Sequence, residues 1–266
     1  MPGSEHAALR EPLAAILREA GELALVASKR PLRQWTKNGS SPVSEADIAV
    51  NDLLAAKLPP LAPQAGWLSE ETEDNSARLE QPLLWVVDPI DGTRAFLDGK
   101  PDWSVSVALV ADGRPVLGGL YAPVTDEMFL AAAGAGASVN GTRLATDPGD
   151  VLAGARIAGP QGHLRKLAAI VPRILPQPKI HSLALRLARV AQGTLDTALA
   201  SRNSSDWDLA AADLLVHEAG GAMSDFEGRR PVYNRPNPVH AALIAAGTAR
   251  HAAVLELLRD RRGDFV

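Results

Sequence analysis

The sequence predicts a mixed α/β protein, with an α+β N-terminal half and an α/β C-terminal half. Helical periodicities open the chain, short alternating runs joined by hairpin turns follow, and from about residue 151 strands and helices alternate. Leu13, Ile16, Leu17, Ala20, Ala24 and Ala27 recur at helical spacing, so residues 12–29 read as an amphipathic helix. Pro12 suits its first turn and Pro31 stops it. Ser44, with Asp47 three residues on, marks a second helix through Ile48, Leu54 and Leu58, ended by Pro59 and Pro60. The stretch between them, Lys37 to Pro42, reads as a polar loop rich in Gly and Ser.

Leu83 to Val87 then reads as a continuous apolar strand, and Val105, Val107 and Leu109 as an alternating one. Asp112-Gly113 turns that strand into Val116–Tyr121. Met128–Ala132 and an Asn140-Gly141 turn extend the antiparallel region. In the second half the expected elements are a strand at 155–158, a helix at 183–191, a strand at 194–199, a helix at 207–219 and a last helix near 249–258. Gly193 and Gly220-Gly221 follow two of these helices, as stops do. The boundary between residues 1–148 and 149–266 falls near Asp147 to Asp150, with no low-complexity linker to separate the halves.

Composition bounds the function. The chain has 266 residues, 46% hydrophobic and 22% charged, which suits a folded protein with a sizeable core. Lys and Arg number 27 against 31 Asp and Glu, a net charge of -4, so the excess positive field needed by a nucleic acid polymer is missing. There are 0 cysteines, which excludes disulfides, thiolate metal sites and a cysteine nucleophile. No stretch approaches the roughly 18 apolar residues of a membrane span, and Met1 to Leu9 has no basic leader region. The expectation is a cytoplasmic protein without a membrane partner.

The segment Trp85-Val86-Val87-Asp88-Pro89-Ile90-Asp91-Gly92-Thr93 carries the chemistry. A strand delivers Asp88, Pro89 prevents the ladder from continuing, and Asp91-Gly92 turns the chain so that two carboxylates face one point. Such a pair is costly unless a divalent cation balances it, and oxygen-only ligands suit magnesium or manganese. The same residues would also suit a turn with helix-capping aspartates. Glu70-Glu71 ends another apolar stretch, although paired glutamates are more often a solvated face. Asp208 opens a helix after Trp207, where it would equally serve the helix N-terminus. His6, His163, His181, His217, His240 and His251 are scattered, without an H-E-x-x-H pair, and read as surface or satisfied core residues. No G-x-S-x-G elbow, nucleotide P-loop or G-x-G-x-x-G is present, and Gly134-Ala135-Gly136 is a glycine-rich turn.

Together these segments resemble the inositol monophosphatase superfamily of magnesium-dependent, lithium-sensitive phosphatases. The motif Asp88-Pro89-Ile90-Asp91-Gly92-Thr93, the acids Glu70-Glu71 and the pair Trp207-Asp208 occur in the family's order, and the similarity runs from Ser41-Pro42-Val43 to Glu218-Ala219-Gly220-Gly221. The resemblance implies a layered αβαβα sandwich of the sugar-phosphatase type. The first lobe would bind metal and the second complete the active site. Glu70, Asp88, Asp91 and Asp208 would be side-chain ligands to two or three Mg2+ ions, with the Ile90 carbonyl as a backbone ligand. Glu70, Thr93 and Asp47 would be the catalytic groups, Thr93 and Asp47 helping to activate water and Glu70 accepting its proton. Asp47, third in its helix, could instead only cap it. A homodimer is common in this family.

For the substrate, a small phosphate ester, Gly92 and Thr93 offer backbone amides, and Arg94, Ser201 and Arg202 are candidate contacts. Inositol-specific members place a glutamate seven residues before the motif aspartate, where this chain has Ser201. With Arg94 after the motif, the chain is most similar to bacterial 3′(2′),5′-bisphosphate nucleotidases of the CysQ type, which convert adenosine 3′,5′-bisphosphate to AMP. Inositol-1-phosphate and histidinol-phosphate phosphatases are the alternatives within the family, and a solvated surface is the alternative for both arginines. A non-catalytic regulatory binding protein on the same fold is the alternative of another class.

Overall fold

The computed structural model describes residues 6–37 and 41–265. The centre of the expected polar loop, residues 38–40, and the N-terminal residues 1–5 lie outside the described residues.

Helix α1, Arg10–Ala27, buries Leu13, Leu17, Ala20, Ala24 and Ala27, the stripe its periodicity demands. Strands β1, Gln34–Lys37, and β2, Ser41–Ser44, pair antiparallel where the sequence suggested only a loop, because their residues are short of the apolar alternation that marks a strand. Helix α2, Glu45–Lys57, starts at Ser44 with a complete capping box: the Asp47 carboxylate accepts from the Ser44 N–H while the Ser44 side chain accepts from the helix backbone.

The large sheet has seven strands in the order β3 (Ala65–Ser69), β4 (Leu83–Asp91), β5 (Ser104–Ala111), β6 (Arg114–Ala122), β7 (Glu127–Ala132), β8 (Ala137–Val139) and β9 (Thr142–Arg143). Only its β3–β4 pair is parallel; every later neighbour is antiparallel. Asp112 and Gly113, at φ 49° and 72°, make the expected tight turn. Between β4 and β7 lies one short helix, α3, Thr93–Leu97.

The second sheet has five strands, ordered β11 (Leu175–Pro176), β10 (Arg156–Ala158), β12 (Thr197–Ala200), β16 (Leu243–Gly247) and β14 (Gly221–Asp225). A further small pair joins β13, Ser204–Ser205, to β15, Val239–His240. Helices α4, Gln161–Ile170, α5, Leu183–Ala191, α6, Asp206–Glu218, and α7, Thr248–Leu257, complete the chain. The expected strand at 194–199 is registered three residues later, at Thr197–Ala200, because Gly193 at φ 72° and the bonds from Thr194 and Leu195 to the Arg189 carbonyl first close α5.

These parts stack as five layers. Helices α1 and α2 bury their apolar stripes against one face of the large sheet, around Trp85, Val87, Val105, Val107 and Leu109. Helices α5 and α6 lie between the sheets, and one buried cluster runs from Leu84 and Val86 through Leu209–Val216 to Ala198 and Leu243. Leu164, Leu167 and Val254 of α4 and α7 cover the far face of the second sheet. The order is the αβαβα sandwich expected. Covered on two sides, α6 buries every residue from Leu209 to Val216, and so lacks a polar face. Its close approach needs Gly118 on β6, where an added Cβ would stand 3.0 Å from the Ala211 carbonyl oxygen. Among the described residues no helix is long and apolar enough to cross a membrane.

Candidate active site

The strand that carries the motif does not stop at Pro89. Its ladder with β5 is interrupted there and resumes: Asp88 faces Ser106, Asp91 faces Ser104, and Pro89-Ile90 stand opposite Val105 alone. Pro89 has no N–H to give, so a bulge forms in place of an end to the strand. The bulge decides the chemistry. Residues three apart in a regular strand point to opposite faces, whereas one extra residue returns the second to the face of the first. Asp88 and Asp91 therefore both look toward the buried helices α5 and α6.

Asp208 arrives in the first turn of α6, and its carboxylate accepts the Ser205 N–H at 2.6 Å. Oxygens of Asp88, Asp91 and Asp208 all lie within 4.8 Å of one another. Asp91 is also tied to α5: one oxygen accepts the Ser182 hydroxyl at 2.6 Å and the Ala184 N–H at 2.7 Å, the other the Leu183 N–H at 3.1 Å. Helix capping and convergence thus coexist at Asp91 and Asp208. Glu70 follows β3, its N–H donating to the Val87 carbonyl at 3.2 Å. Beside it, Lys37 reaches the Glu70 carbonyl and pairs with Glu71 at 2.6 Å.

The charge balance fits a cation. Burial first, and then the neighbouring acids, push Asp88 well above the usual carboxylate range. The same causes raise Glu70 to about 8, with Lys37 opposing them, and Asp208 to about 7. Burial raises Asp91 too, against the opposing bonds from α5. Hard anionic oxygens this close are the donor set of a magnesium-type ion, and none of the described ligands is a histidine.

Thr93 follows on α3, and its hydroxyl lies 3.3 Å from one Asp47 oxygen and 3.1 Å from the Ile90 carbonyl. The other Asp47 oxygen serves the Ser44 backbone and hydroxyl. Asp47 therefore caps α2 and faces Thr93 at once. Burial raises it to about 6, with the Ser44 bonds opposing.

A cavity of about 450 Å³ opens over these groups, lined by Glu70, Asp88, Asp91, Gly92, Thr93, Arg94, Ser201 and Asp208, together with Pro42, Lys179 and His181. Gly92 holds φ 94°, and a Cβ there would sit 3.0 Å from the Ser182 nitrogen, so glycine is required for the turn to lie against α5. Arg202 is exposed and is not among the lining residues. Sequence reasoning missed Lys179 and His181, which come from the irregular segment before α5. The only local signal was Ser182, the N-cap of that helix.

The raised acids predict a pH effect. Unfolded, Glu70 and Asp208 return to 4.5 and 3.8; folded, they hold their protons to about 8 and about 7. Their contribution to stability is complete below about pH 4 and is lost as pH rises through 7 and 8. The thermal midpoint of the metal-free protein should fall between pH 5 and 8.5, and saturating magnesium should restore most of the loss at pH 8.5 but little at pH 5. Midpoints that ignore magnesium at both pH values would remove the cluster from metal binding.

The chain is similar to known proteins over most of its length. A family model described as the inositol monophosphatase family matches residues 7–261. Inositol-1-monophosphatase of Mesorhizobium japonicum is 36% identical over 82% of this chain and 82% of its own. The 3′(2′),5′-bisphosphate nucleotidase CysQ of Aggregatibacter actinomycetemcomitans is 33% identical over 83% and 85%, and the Nus factor SuhB of Pseudomonas aeruginosa 33% over 79% and 83%. Among solved structures, the suhB protein of Bartonella henselae aligns with a TM-score of 0.83 at 28% identity, covering 94% of this chain and 98% of that one. Relatives with three different names thus lie within a few per cent of one another in identity. Likeness does not choose between them, but each carries the chain to the same place: it belongs to the inositol monophosphatase family.

Proposed function

We propose that the protein is a magnesium-dependent phosphomonoesterase whose preferred substrate is a nucleoside 3′,5′-bisphosphate, adenosine 3′,5′-bisphosphate giving AMP and phosphate. The supporting observation is that Arg94 and Lys179 line the same cavity as the four acids. Cations beside an acidic cluster suit a substrate that carries a second phosphate besides the one cleaved. A neutral polyol would instead need hydroxyl acceptors, and Ser201 stands where inositol-specific members place a glutamate.

Glu70, Asp88, Asp91 and Asp208, with the Ile90 carbonyl, would hold the magnesium, two or three ions in this reading. Bound there, magnesium would supply charge neutralisation at the phosphoryl oxygens and greater acidity to a water. The protein's own groups do the rest. Asp47 accepts from Thr93, which leaves the Thr93 oxygen free to accept a bond from the attacking water and orient it. Glu70, at the end of β3 beside the three aspartates on the cavity wall, would take the water's proton. Gly92, at φ 94°, lets the turn lie against the start of α5 while it lines the cavity.

Phosphate release from adenosine 3′,5′-bisphosphate, inositol 1-phosphate and histidinol phosphate, measured side by side with and without magnesium, tests the reading. The bisphosphate should show the highest kcat/KM. Lys179→Ala or Arg94→Ala should cost about ten- to a hundredfold more with the bisphosphate than with the monophosphates. A wild-type preference for inositol 1-phosphate would defeat the nucleotide assignment, and no metal-dependent release from any of them would favour a binding protein on this fold.

A further inference from the structure

A second cavity, of about 460 Å³, lies at the β8–β9 edge of the large sheet and takes no part in the reading above. Arg10, Ser138 and Arg143 line it, together with the glycine-rich turn Gly134-Ala135-Gly136. The ladder register brings these side chains to one place. Ser138 faces Leu130 across β7 and β8, and Arg143 faces Ser138 across β8 and β9. Directly paired residues share a face of the sheet, and Leu130 belongs to the buried cluster under α1 and α2. Ser138 and Arg143 therefore project on the side of α1, whose first residue, Arg10, donates to the Gly136 carbonyl and, at 3.3 Å, to the Ala135 carbonyl. The charges there are unbalanced. The Arg10 Nε is buried with no hydrogen-bond partner, and among the described residues neither Arg10 nor Arg143 has a carboxylate partner. Glu218, from α6 on the opposite face, accepts the N–H groups of Gly134 at 2.8 Å and Gly136 at 2.7 Å; it holds the turn and does not line the cavity. One carboxylate against two guanidiniums leaves a positive site in a chain of net charge -4.

The geometry points to a second phosphate-binding site in this cavity, in which Arg10 and Arg143 hold the oxygens of a phosphate dianion and the Ser138 hydroxyl donates between them. The dianion is a free phosphate or the phosphate group of a small ester. Planar guanidinium forks match phosphate oxygens, and a bond between two charged groups is stronger than a neutral one. Gly134 and Gly136 hold φ 72° and 77°, and a Cβ at either would meet nothing within 4 Å. That side of the cavity is thus open to a ligand. The sign of the site is opposite to that of the acidic cluster around Asp88, so phosphate needs no magnesium to bind here. The inference stands apart from the phosphomonoesterase reading and from the choice of ester.

The test is titration calorimetry on the metal-free protein at constant ionic strength, with inorganic phosphate in one arm and glycerol 2-phosphate in the other. At least one of them should bind with a Kd of about 1 mM or below. Arg143→Gln, at an exposed side chain, should weaken binding by about tenfold or more, the loss of one charge-assisted contact, with a parental thermal midpoint. Arg10→Gln should weaken binding as much and lower the midpoint, because the turn loses its bonds to the guanidinium. Lys179→Ala, in the other cavity, should leave the Kd unchanged. Equal affinity for the two ligands would assign the site to the phosphate group alone, and tighter binding of glycerol 2-phosphate would assign it to an organic ester. Binding that survives Arg143→Gln, or that Lys179→Ala abolishes, would put the anion elsewhere and overturn the inference. So would the absence of binding to the parent at about ten times the expected Kd.

Discussion

Replacing Asp88 by asparagine is expected to abolish magnesium-dependent phosphate release, a loss of about a hundredfold or more in kcat/KM, while the metal-free protein becomes more stable at pH 8. Asp88 is the member of the cluster with the least structural work to do: among the described residues its one side-chain hydrogen bond is from the Ile90 N–H at 3.1 Å, which an amide oxygen still accepts. Burial and the charges of Glu70, Asp91 and Asp208 all oppose its ionised form, so an uncharged isostere relieves repulsion and removes a metal ligand together. Asp91→Asn is the control. Its two oxygens accept three bonds from the start of α5, and an amide would turn an N–H toward donors, at a cost of about 1 to 3 kcal/mol. Both variants should be inactive, but only Asp91→Asn should melt below the parent in the absence of metal. Activity measured in a magnesium series, with melting curves at pH 8, separates the two. An Asp88→Asn enzyme that works at parental rate would place the metal elsewhere.

Much of the fold was legible because its signals are local. The α2 start at Ser44 and Asp47, the Asp112-Gly113 and Asn140-Gly141 turns and the buried run Leu83–Val87 are each decided by neighbours in sequence. The carboxylate motif is local too, which is why six consecutive residues already indicated a metal centre. Elements that failed to announce themselves lack the periodicity of a half-buried face, for opposite reasons. Strands β14 and β16, Gly-Ala-Met-Ser-Asp and Leu-Ile-Ala-Ala-Gly, are buried almost throughout, so they show no alternation. Helix α4 buries only Leu164 and Leu167 and leaves the rest of its length partly or fully exposed.

At the site, what escaped the sequence was the long-range geometry. Pro89 reads as a strand end, and only the register opposite β5 reveals a bulge that turns two aspartates to one face. Asp91 meets its partners 91 to 93 positions later, and His181 finds Asp102 across 79. Histidine without a metal-ligand spacing gives no warning of either. Where two readings of one residue competed, the structure often kept both: Asp208 and Asp91 satisfy helix N-termini and also converge. A helix start tolerates a carboxylate at low cost, which makes it an economical place from which to aim one.

Asp47 is the other such residue, and its two oxygens allow the roles to be separated. Thr93→Val removes only the hydroxyl and should lower kcat by about 10²- to 10³-fold with KM little changed, because the group acts on the water rather than on the bound ester. Thr93→Ser should keep most of the activity. Asp47→Asn should lower kcat by a similar factor, since an amide that keeps its oxygen on Ser44 turns its N–H₂ toward Thr93, and the alternative orientation sacrifices the cap. Losing that cap costs about 1 kcal/mol, visible in the thermal midpoint. If Thr93 and Asp47 act as one relay, the double variant is no slower than the slower single one, whereas independent roles would multiply the losses. An Asp47→Asn enzyme with a lowered midpoint but parental kcat would leave the residue as a helix cap alone.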